Sequence, residues 1–192
     1  MTIVCNLHGG PGSGKSTSAA YIFSKLKQAG VNAELVREYV KDWAWDGRPI
    51  GEFDQLYLLG KQMRRETMLF GKVDVIVTDS PLYLAAFFAG KFSPPILAKA
   101  TLSAAEAVVK HAESIGHKYV HYFIERTKTY NPAGRYQTEV EARDLDVDIL
   151  CFMMDNNLVP GLKNFVINTD PAELDCLAAH LTELVGVPTK EA

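Results

Sequence analysis

The stretch Gly9–Thr17, with the sequence GGPGSGKST, decides the fold of this 192-residue chain. It matches the pattern G-x-x-x-x-G-K-[ST], and it lies between an apolar run over residues 2–7 and a helical pattern over residues 15–29. Glycines let the backbone curl until successive N–H groups point inward, and the helix that follows adds the positive end of its dipole. The stretch therefore predicts a strand, a phosphate-binding loop and a helix in succession.

The side chains of this loop predict a site for the triphosphate of a nucleotide. Lys15 is expected to reach the β- and γ-phosphates, the Ser16 hydroxyl to bind Mg²⁺, and Thr17 to lie near the α-phosphate. The residues predicted to hold the nucleotide are Gly10, Gly12, Ser13, Gly14, Lys15, Ser16 and Thr17. ATP and Mg²⁺ are the expected cofactors, and GTP is disfavoured because no Asn-Lys-x-Asp element follows a later strand.

Apolar runs alternate with longer helical patterns along the rest of the chain. The patterns predict strands at 2–7, 33–37, 73–78, 119–124 and 164–168, and helices at 15–29, 54–70, 97–114, 138–156 and 171–184. Such alternation predicts a parallel sheet covered by helices on both faces, with ligands at the carboxyl ends of the strands. Since no linker or repeat divides the sequence, residues 1–192 are expected to form a single domain.

Composition and charge describe an ordinary globular protein. Hydrophobic residues make up 47% and charged residues 22% of the chain, and the net charge of −3 lacks the basic excess usual among proteins that bind duplex DNA. Cys5, Cys151 and Cys176 are far apart and show no CxxC spacing, so we expect buried thiols in a reducing compartment. Without a signal peptide or a long apolar run, the expectation is a cytoplasmic protein with no membrane partner.

Two acidic residues follow predicted strands on the side where the phosphate loop lies. Asp79 ends the third strand, where it is placed to hold Mg²⁺ or to take a proton from an acceptor hydroxyl. Its alternative role is to cap a helix that begins at Pro81. Glu38 follows the second strand and is predicted to be a general base or a second anchor for the metal, with a surface acid as the alternative.

An acceptor side is predicted between the second and third strands. The two tryptophans of the segment KDWAWDGR, Trp43 and Trp45, are interpreted as a wall for a stacked base, with Trp43 as the candidate, or alternatively as the cover of a helix end. Asp42 shares a face with Glu38 if this segment is helical. Arg37 is predicted to bind a substrate phosphate or, alternatively, to pair with a neighbouring acid. One of Arg64 and Arg65, with Arg64 as the candidate, is predicted to point into the cleft, since a guanidinium suits a phosphate or a base edge.

A basic segment over residues 126–138 is predicted to be a lid. It carries Arg126, Lys128 and Arg135 beside a Pro and a Gly, and it precedes a helix that opens with acids. Such a segment would neutralise the transferring group and exclude water from it. Arg126 and Arg135 are the favoured catalytic cations, and the alternative is an ordinary charged surface loop.

Together these features resemble the P-loop kinase superfamily, on the branch of nucleoside, nucleotide and polynucleotide kinases. The resemblance implies an α/β three-layer sandwich of the P-loop NTPase type, with a five-stranded parallel sheet in the order 2-3-1-4-5 and a helical lid. Nucleoside kinases of this branch tend to carry an Arg between an acid and a Ser after the third strand, whereas this chain has Asp79-Ser80-Pro81. The chain also resembles small phage-type proteins loosely described as ATPases or kinases, some of which act in DNA modification.

The leading functional prediction is an ATP- and Mg²⁺-dependent kinase with a nucleoside- or nucleotide-type acceptor. Lys15 would hold the ATP, Glu38 or Asp79 would deprotonate the acceptor, and Arg126 and Arg135 would stabilise the transferring charge. One alternative is a kinase of nucleic acid, acting on a hydroxymethylated pyrimidine or on a 5′-end in DNA. The alternative from another class is a P-loop ATPase module that drives a partner.

Overall fold

The computed structural model describes residues 1–127, 129–131, 136–159 and 165–186. Its strands are β1 (Ile3–His8), β2 (Ala33–Val36), β3 (Val75–Thr78), β4 (Lys118–Ile124) and β5 (Val166–Ile167). Its helices are α1 (Lys15–Gln28), α2 (Lys41–Trp45), α3 (Asp54–Thr67), α4 (Leu82–Phe92), α5 (Pro95–Ser114), α6 (Glu139–Asp155) and α7 (Pro171–Leu184). All strand pairs are parallel and follow the order β2-β3-β1-β4-β5, which confirms the predicted topology.

The central strand β1 separates two buried clusters, as expected for a strand whose side chains point alternately to opposite faces. Ile3, Cys5 and Leu7 pack with residues of α1 and α7 on one face. Val4 packs on the other face with residues of α3 to α6. The result is a three-layer α/β sandwich, in which the carboxyl ends of β1, β2 and β3 lie together at one edge.

Helix α2 was not predicted, and α4 entered only through the alternative in which Asp79 caps a helix that begins at Pro81. The segment of α4, LYLAAFFAGKF, is almost uniformly apolar, so it shows no single stripe at helical spacing. It is buried because it packs against both α3 and α5. Helix α2 has only five residues, too short for periodicity to be visible.

Smaller differences concern element ends and cysteines. The described part of the fifth strand is limited to Val166–Ile167, and residues 160–164 lie outside the described residues. Cys5 is buried as expected, but Cys151 and Cys176 are exposed, so the expectation of buried thiols is wrong for these two. Both occupy the outer sides of helices. None of the helices in the described ranges is long and apolar enough to cross a bilayer.

Candidate nucleotide site and adjoining cleft

The phosphate loop connects β1 to α1 through backbone conformations that suit glycine. Gly12 and Gly14 have φ angles of +79° and +108°, in the region that side chains with a Cβ rarely adopt. Gly14 also lies so close to Thr169 that a Cβ there would stand 2.7 Å from the Thr169 Cγ2 atom. Because α1 has no acidic residue in its first turn, the positive end of its dipole is not neutralised locally. The loop therefore has the geometry and polarity of an anion site.

Lys15 lies where the loop opens into a neighbouring cleft. Its Nζ donates to the carbonyl oxygens of Gly9 and Gly10 at 2.8 and 2.9 Å. These bonds keep the ammonium at the mouth of the loop, and Lys15 lines the cleft described below. The contact of Lys15 with the β- and γ-phosphates stays a prediction.

Asp79 and Glu38 are joined at the carboxyl ends of β3 and β2. The Asp79 Oδ1 atom accepts a 2.9 Å hydrogen bond from the Glu38 backbone N–H, and Asp79 is only 4% exposed. Asp79 does not cap α4, since Pro81 is the N-cap residue of that helix and no side chain caps it. The alternative capping role of Asp79 is therefore wrong.

A small cavity beside the phosphate loop brings the predicted metal and acid residues together. It is lined by Ser16, Ala20, Leu35, Arg37, Glu38, Lys41 and Asp79. The Ser16 hydroxyl, the Asp79 carboxylate and the Glu38 carboxylate thus share one cavity beside the phosphate loop. Among the described residues no group of three or more His, Cys, Asp or Glu side chains suits a metal. Any ion bound here would need oxygen ligands from the nucleotide or from water.

A cleft with a longer lining lies beside Lys15 and Glu38. Its apolar lining comes mainly from α2, α3 and α4: Val40, Ala44, Ile50, Leu58, Leu84, Ala85, Phe88 and Phe92. Two buried glutamines of α3, Gln55 and Gln62, also line it, and the Gln62 Nε2 atom donates to Thr78 Oγ1 at 3.1 Å. Glu38 and Lys41 line both the cleft and the small cavity, so the two spaces adjoin at these residues.

Arg126 is buried against the phosphate loop by an acidic residue that the sequence analysis missed. Its Nε donates to Asp146 Oδ2 at 2.7 Å and its Nη2 donates to the Pro11 carbonyl at 2.8 Å. Asp146 lies in α6 near the buried stripe formed by Ala142, Leu145, Ile149 and Met153. In the sequence, the pattern that indicates Asp146 is an acidic residue directly beside the apolar stripe of a helix.

The described residues of the segment 126–138 contact both halves of the site. The Tyr130 ring lies close to the phosphate loop: a Cβ on Gly12 would be 3.0 Å from the Cδ2 and Cε2 atoms of Tyr130. Tyr136 donates from its hydroxyl to the Arg48 carbonyl at 2.6 Å and lines the cleft. These described residues form no helix, since α6 begins at Glu139, and Lys128 and Arg135 lie outside the described residues. The lid remains a prediction.

Comparison with known proteins places this geometry within a known fold. No protein-family model and no curated protein matches the chain. A crystal structure of NadR protein in complex with NR matches with a TM-score of 0.71 and 12% identity, over 99% of this chain and 53% of the NadR chain. NadR protein in complex with NAD and AMP-PNP matches with a TM-score of 0.68 and 10% identity, over 100% and 51%.

The chain has the fold of the P-loop NTPases, and it spans about half the length of the NadR chains it matches. At this level of identity the likeness establishes the fold alone.

Trp43 does not offer a face to a base. It is buried, stacks on the Tyr57 ring with centroids 5.9 Å apart, and has the Arg48 guanidinium 3.5 Å from its ring centroid. The predicted stacking wall is therefore wrong for Trp43, whose ring is covered by neighbours from the same chain. Trp45 is 64% exposed and lines neither cavity.

Two further acceptor-side candidates lie away from both cavities, so their roles stay predictions. Asp42 is exposed and lines neither cavity, because α2 begins only at Lys41 and therefore does not place Asp42 on a face with Glu38. Arg64 is exposed on the outer side of α3, two positions beyond the buried Gln62. Arg37 is exposed too, but it lines the small cavity.

A pair of buried histidines lies at the base of the phosphate loop. His8 Nε2 and His121 Nδ1 are 2.9 Å apart, and His8 directly precedes Gly9. Burial lowers the pKa of His121 to about 4, and burial together with His121 lowers the pKa of His8 well below its ordinary value. Both rings are therefore neutral near pH 7, and they support the loop without adding charge.

Proposed function

We propose that the protein is an ATP- and Mg²⁺-dependent phosphotransferase whose acceptor is a hydroxyl group of a nucleoside- or nucleotide-type molecule. One observation carries the proposal: the cavity beside the phosphate loop and the cleft beyond Lys15 adjoin at Glu38 and Lys41. A phosphate donor in the first space and an acceptor in the second would meet at these side chains. Transfer between bound molecules requires such proximity.

The donor side has residues that suit ATP and Mg²⁺. The backbone of the loop and Lys15 would hold the β- and γ-phosphates, and the Ser16 hydroxyl and Asp79 carboxylate are hard oxygen donors of the kind Mg²⁺ prefers. Bound Mg²⁺ would neutralise charge on the phosphates. The NadR structure that holds AMP-PNP, an analogue of ATP, supports this donor at the level of the fold.

On the acceptor side we assign the general base to Glu38. Asp79 accepts a hydrogen bond from the Glu38 backbone and lines only the cavity that Ser16 shares, whereas Glu38 also lines the cleft. The acceptor oxygen would bond to the γ-phosphorus as the bond to the β-γ bridging oxygen breaks. The acceptor proton would pass to the Glu38 carboxylate, and ADP would leave.

The lining of the cleft favours an uncharged acceptor that lacks a phosphate group. No arginine lines the cleft among the described residues, and its charged side chains, Lys15, Glu38 and Lys41, belong to the transfer region. Ring-shaped apolar groups would pack against Leu84 and Phe88, and the Gln55 amide would contact a polar base edge. This combination suits a nucleoside better than a nucleoside monophosphate.

A transfer assay with radiolabelled ATP tests the proposal against its alternatives. The acceptors are nucleosides, nucleoside monophosphates, and DNA with plain or hydroxymethylated pyrimidines. Label on a nucleoside hydroxyl would support the proposal, and label found only on the phosphate group of a monophosphate would overturn the hydroxyl assignment. Label on DNA alone would favour the nucleic-acid kinase, while hydrolysis with no labelled acceptor would favour the ATPase module.

A further inference from the structure

The contact between α6 and the phosphate loop depends on one carboxylate. Asp146 accepts from Arg126 with both oxygens, at 2.7 Å from Nε and 3.2 Å from Nη2. The side chains of Arg126 and Asp146 are only 4% and 14% exposed. Arg126 Nη2 also donates to the carbonyls of Pro11 and Ala142, at 2.8 and 3.3 Å. The guanidinium is thus fixed on two of its three nitrogens.

The same carboxylate holds the entrance of the loop. Asp146 Oδ1 accepts a 2.7 Å hydrogen bond from the Gly10 N–H. A Cβ on Gly10 would stand 2.5 Å from that oxygen and 2.7 Å from the Ala142 carbonyl, so the contact requires glycine at this position. Arg126 and the loop backbone are therefore positioned by one side chain of α6.

The third nitrogen of Arg126 is left for another group. Its Nη1 atom is buried and has no hydrogen-bond partner among the described residues. It lies 3.3 Å from the place of a Cβ on Gly12, at the inner part of the phosphate loop. A buried cationic donor without a partner is costly, and a phosphate oxygen in the loop would satisfy it.

We propose that Asp146 is a positioning residue that orients Arg126, so that Nη1 donates to a phosphate oxygen of the bound nucleotide. The inference rests on the proposed function only in taking that phosphate from ATP. Asp146 itself touches no phosphate; it acts by keeping the guanidinium in place as charge develops on the transferring group. Donors arranged in advance of the reaction stabilise such charge most effectively.

A double-mutant cycle tests this role. We expect Asp146→Asn to lower kcat about 10- to 100-fold with little change in the KM for ATP, and Arg126→Ala to lower it at least as much. Because Asp146 acts through Arg126, the double variant should be no more than about threefold slower than Arg126→Ala. The matched control is Asp148→Asn, which removes a surface ion pair with Lys91 from the same helix and should leave kcat unchanged.

A second variant separates positioning from folding. Arg126→Lys keeps a cation for Asp146 but has only one nitrogen, so it cannot both pair with Asp146 and donate from the Nη1 position. We expect a melting temperature close to that of the wild type and a kcat reduced at least about tenfold. Wild-type kcat in Arg126→Lys, or multiplicative losses in the double variant, would overturn the inference.

The same variants distinguish this inference from the proposed function. Binding of a fluorescent ATP analogue and ATP hydrolysis are measured beside phosphoryl transfer. A wild-type protein that hydrolyses ATP without labelling any acceptor would overturn the proposed function alone. The double-mutant cycle of Asp146 and Arg126 would then be measured by the rate of ATP hydrolysis. Non-additive losses in that rate would support the role of Asp146, and multiplicative losses would refute it.

Discussion

Glu66 makes the stability of this fold depend on pH, and the direction is opposite to that of most acidic residues. The side chain is fully buried in α3, where the Tyr119 hydroxyl donates to its Oε2 atom at 3.3 Å. Burial raises the pKa of Glu66 from 4.5 to about 8, because the ionised form loses its hydration. The folded protein therefore holds a neutral carboxyl at this position near pH 7.

The size of the effect follows from the difference in bound protons. The unfolded carboxyl loses its proton near a pKa of 4.5, whereas the folded carboxyl keeps it up to a pKa of about 8. Between these values the folded state binds the additional proton, so the free energy of unfolding falls by about 1.4 kcal/mol for each pH unit. The total loss across this window is about 4–5 kcal/mol, and it is absent at lower pH.

Substitution of Glu66 by Gln removes this dependence. Glutamine has nearly the same shape, keeps an oxygen for the Tyr119 hydroxyl and carries no titrating proton. We subtract the free energy of unfolding of the wild type from that of Glu66→Gln. We expect this difference to increase by about 3–4 kcal/mol from about pH 5 to about pH 8. Urea unfolding of both proteins across this pH range measures the difference.

The control is Glu52→Gln, which changes an exposed acid just before α3. Its difference from the wild type should not vary with pH. If Glu66→Gln likewise differs from the wild type by a constant amount, the folded carboxyl is ionised and the burial argument is refuted.

Three further predictions concern the site. Lys15→Ala should abolish phosphoryl transfer in the radiolabel assay without changing the melting temperature, while Lys99→Ala on the exposed side of α5 retains full transfer. Asp79→Asn should reduce turnover by more than about tenfold in steady-state assays, and an unchanged rate would assign Asp79 a structural role. Gly10→Ala should lower both the melting temperature and ATP-analogue binding, because its Cβ would meet Asp146 Oδ1 at 2.5 Å. By contrast, Gly60→Ala in α3, where a Cβ meets nothing, should raise the free energy of unfolding by about 0.5–1 kcal/mol in a urea titration.

The sheet was predictable because its signals are local. Each strand is a short apolar run bounded by loop residues, and the glycine loop fixes where the first strand ends. The strand order was taken from the resemblance to P-loop kinases, and the structure confirms it. Helix α4 has no polar stripe of the kind that marks a surface helix, because its sides face α3, α5 and α6, and it therefore entered the prediction only through the capping alternative for Asp79.

The donor half of the site depends on one continuous segment, whereas the acceptor half depends on packing between segments. Lys15 and Ser16 are fixed by the loop and by the first turn of α1, so their spacing in the sequence predicts their place. The cleft instead combines α2, α3, α4 and the residues around Tyr136. In each of these elements a polar side chain can face the cleft or the solvent with little change in the local sequence pattern.

Gln62 and Arg64 show how small a difference in sequence position separates a side chain that faces the cleft from one that faces outward. Both are polar residues of α3, only two positions apart, and two positions rotate a side chain by about 200° around a helix. Gln62 therefore lines the cleft and Arg64 faces outward, although an arginine is the more familiar ligand for a phosphate. The inward face of α3 carries amides where the sequence suggested a guanidinium. An acceptor recognised by such a face has polar edges and no phosphate of its own, which is why a nucleoside hydroxyl, rather than a monophosphate, is the acceptor we propose.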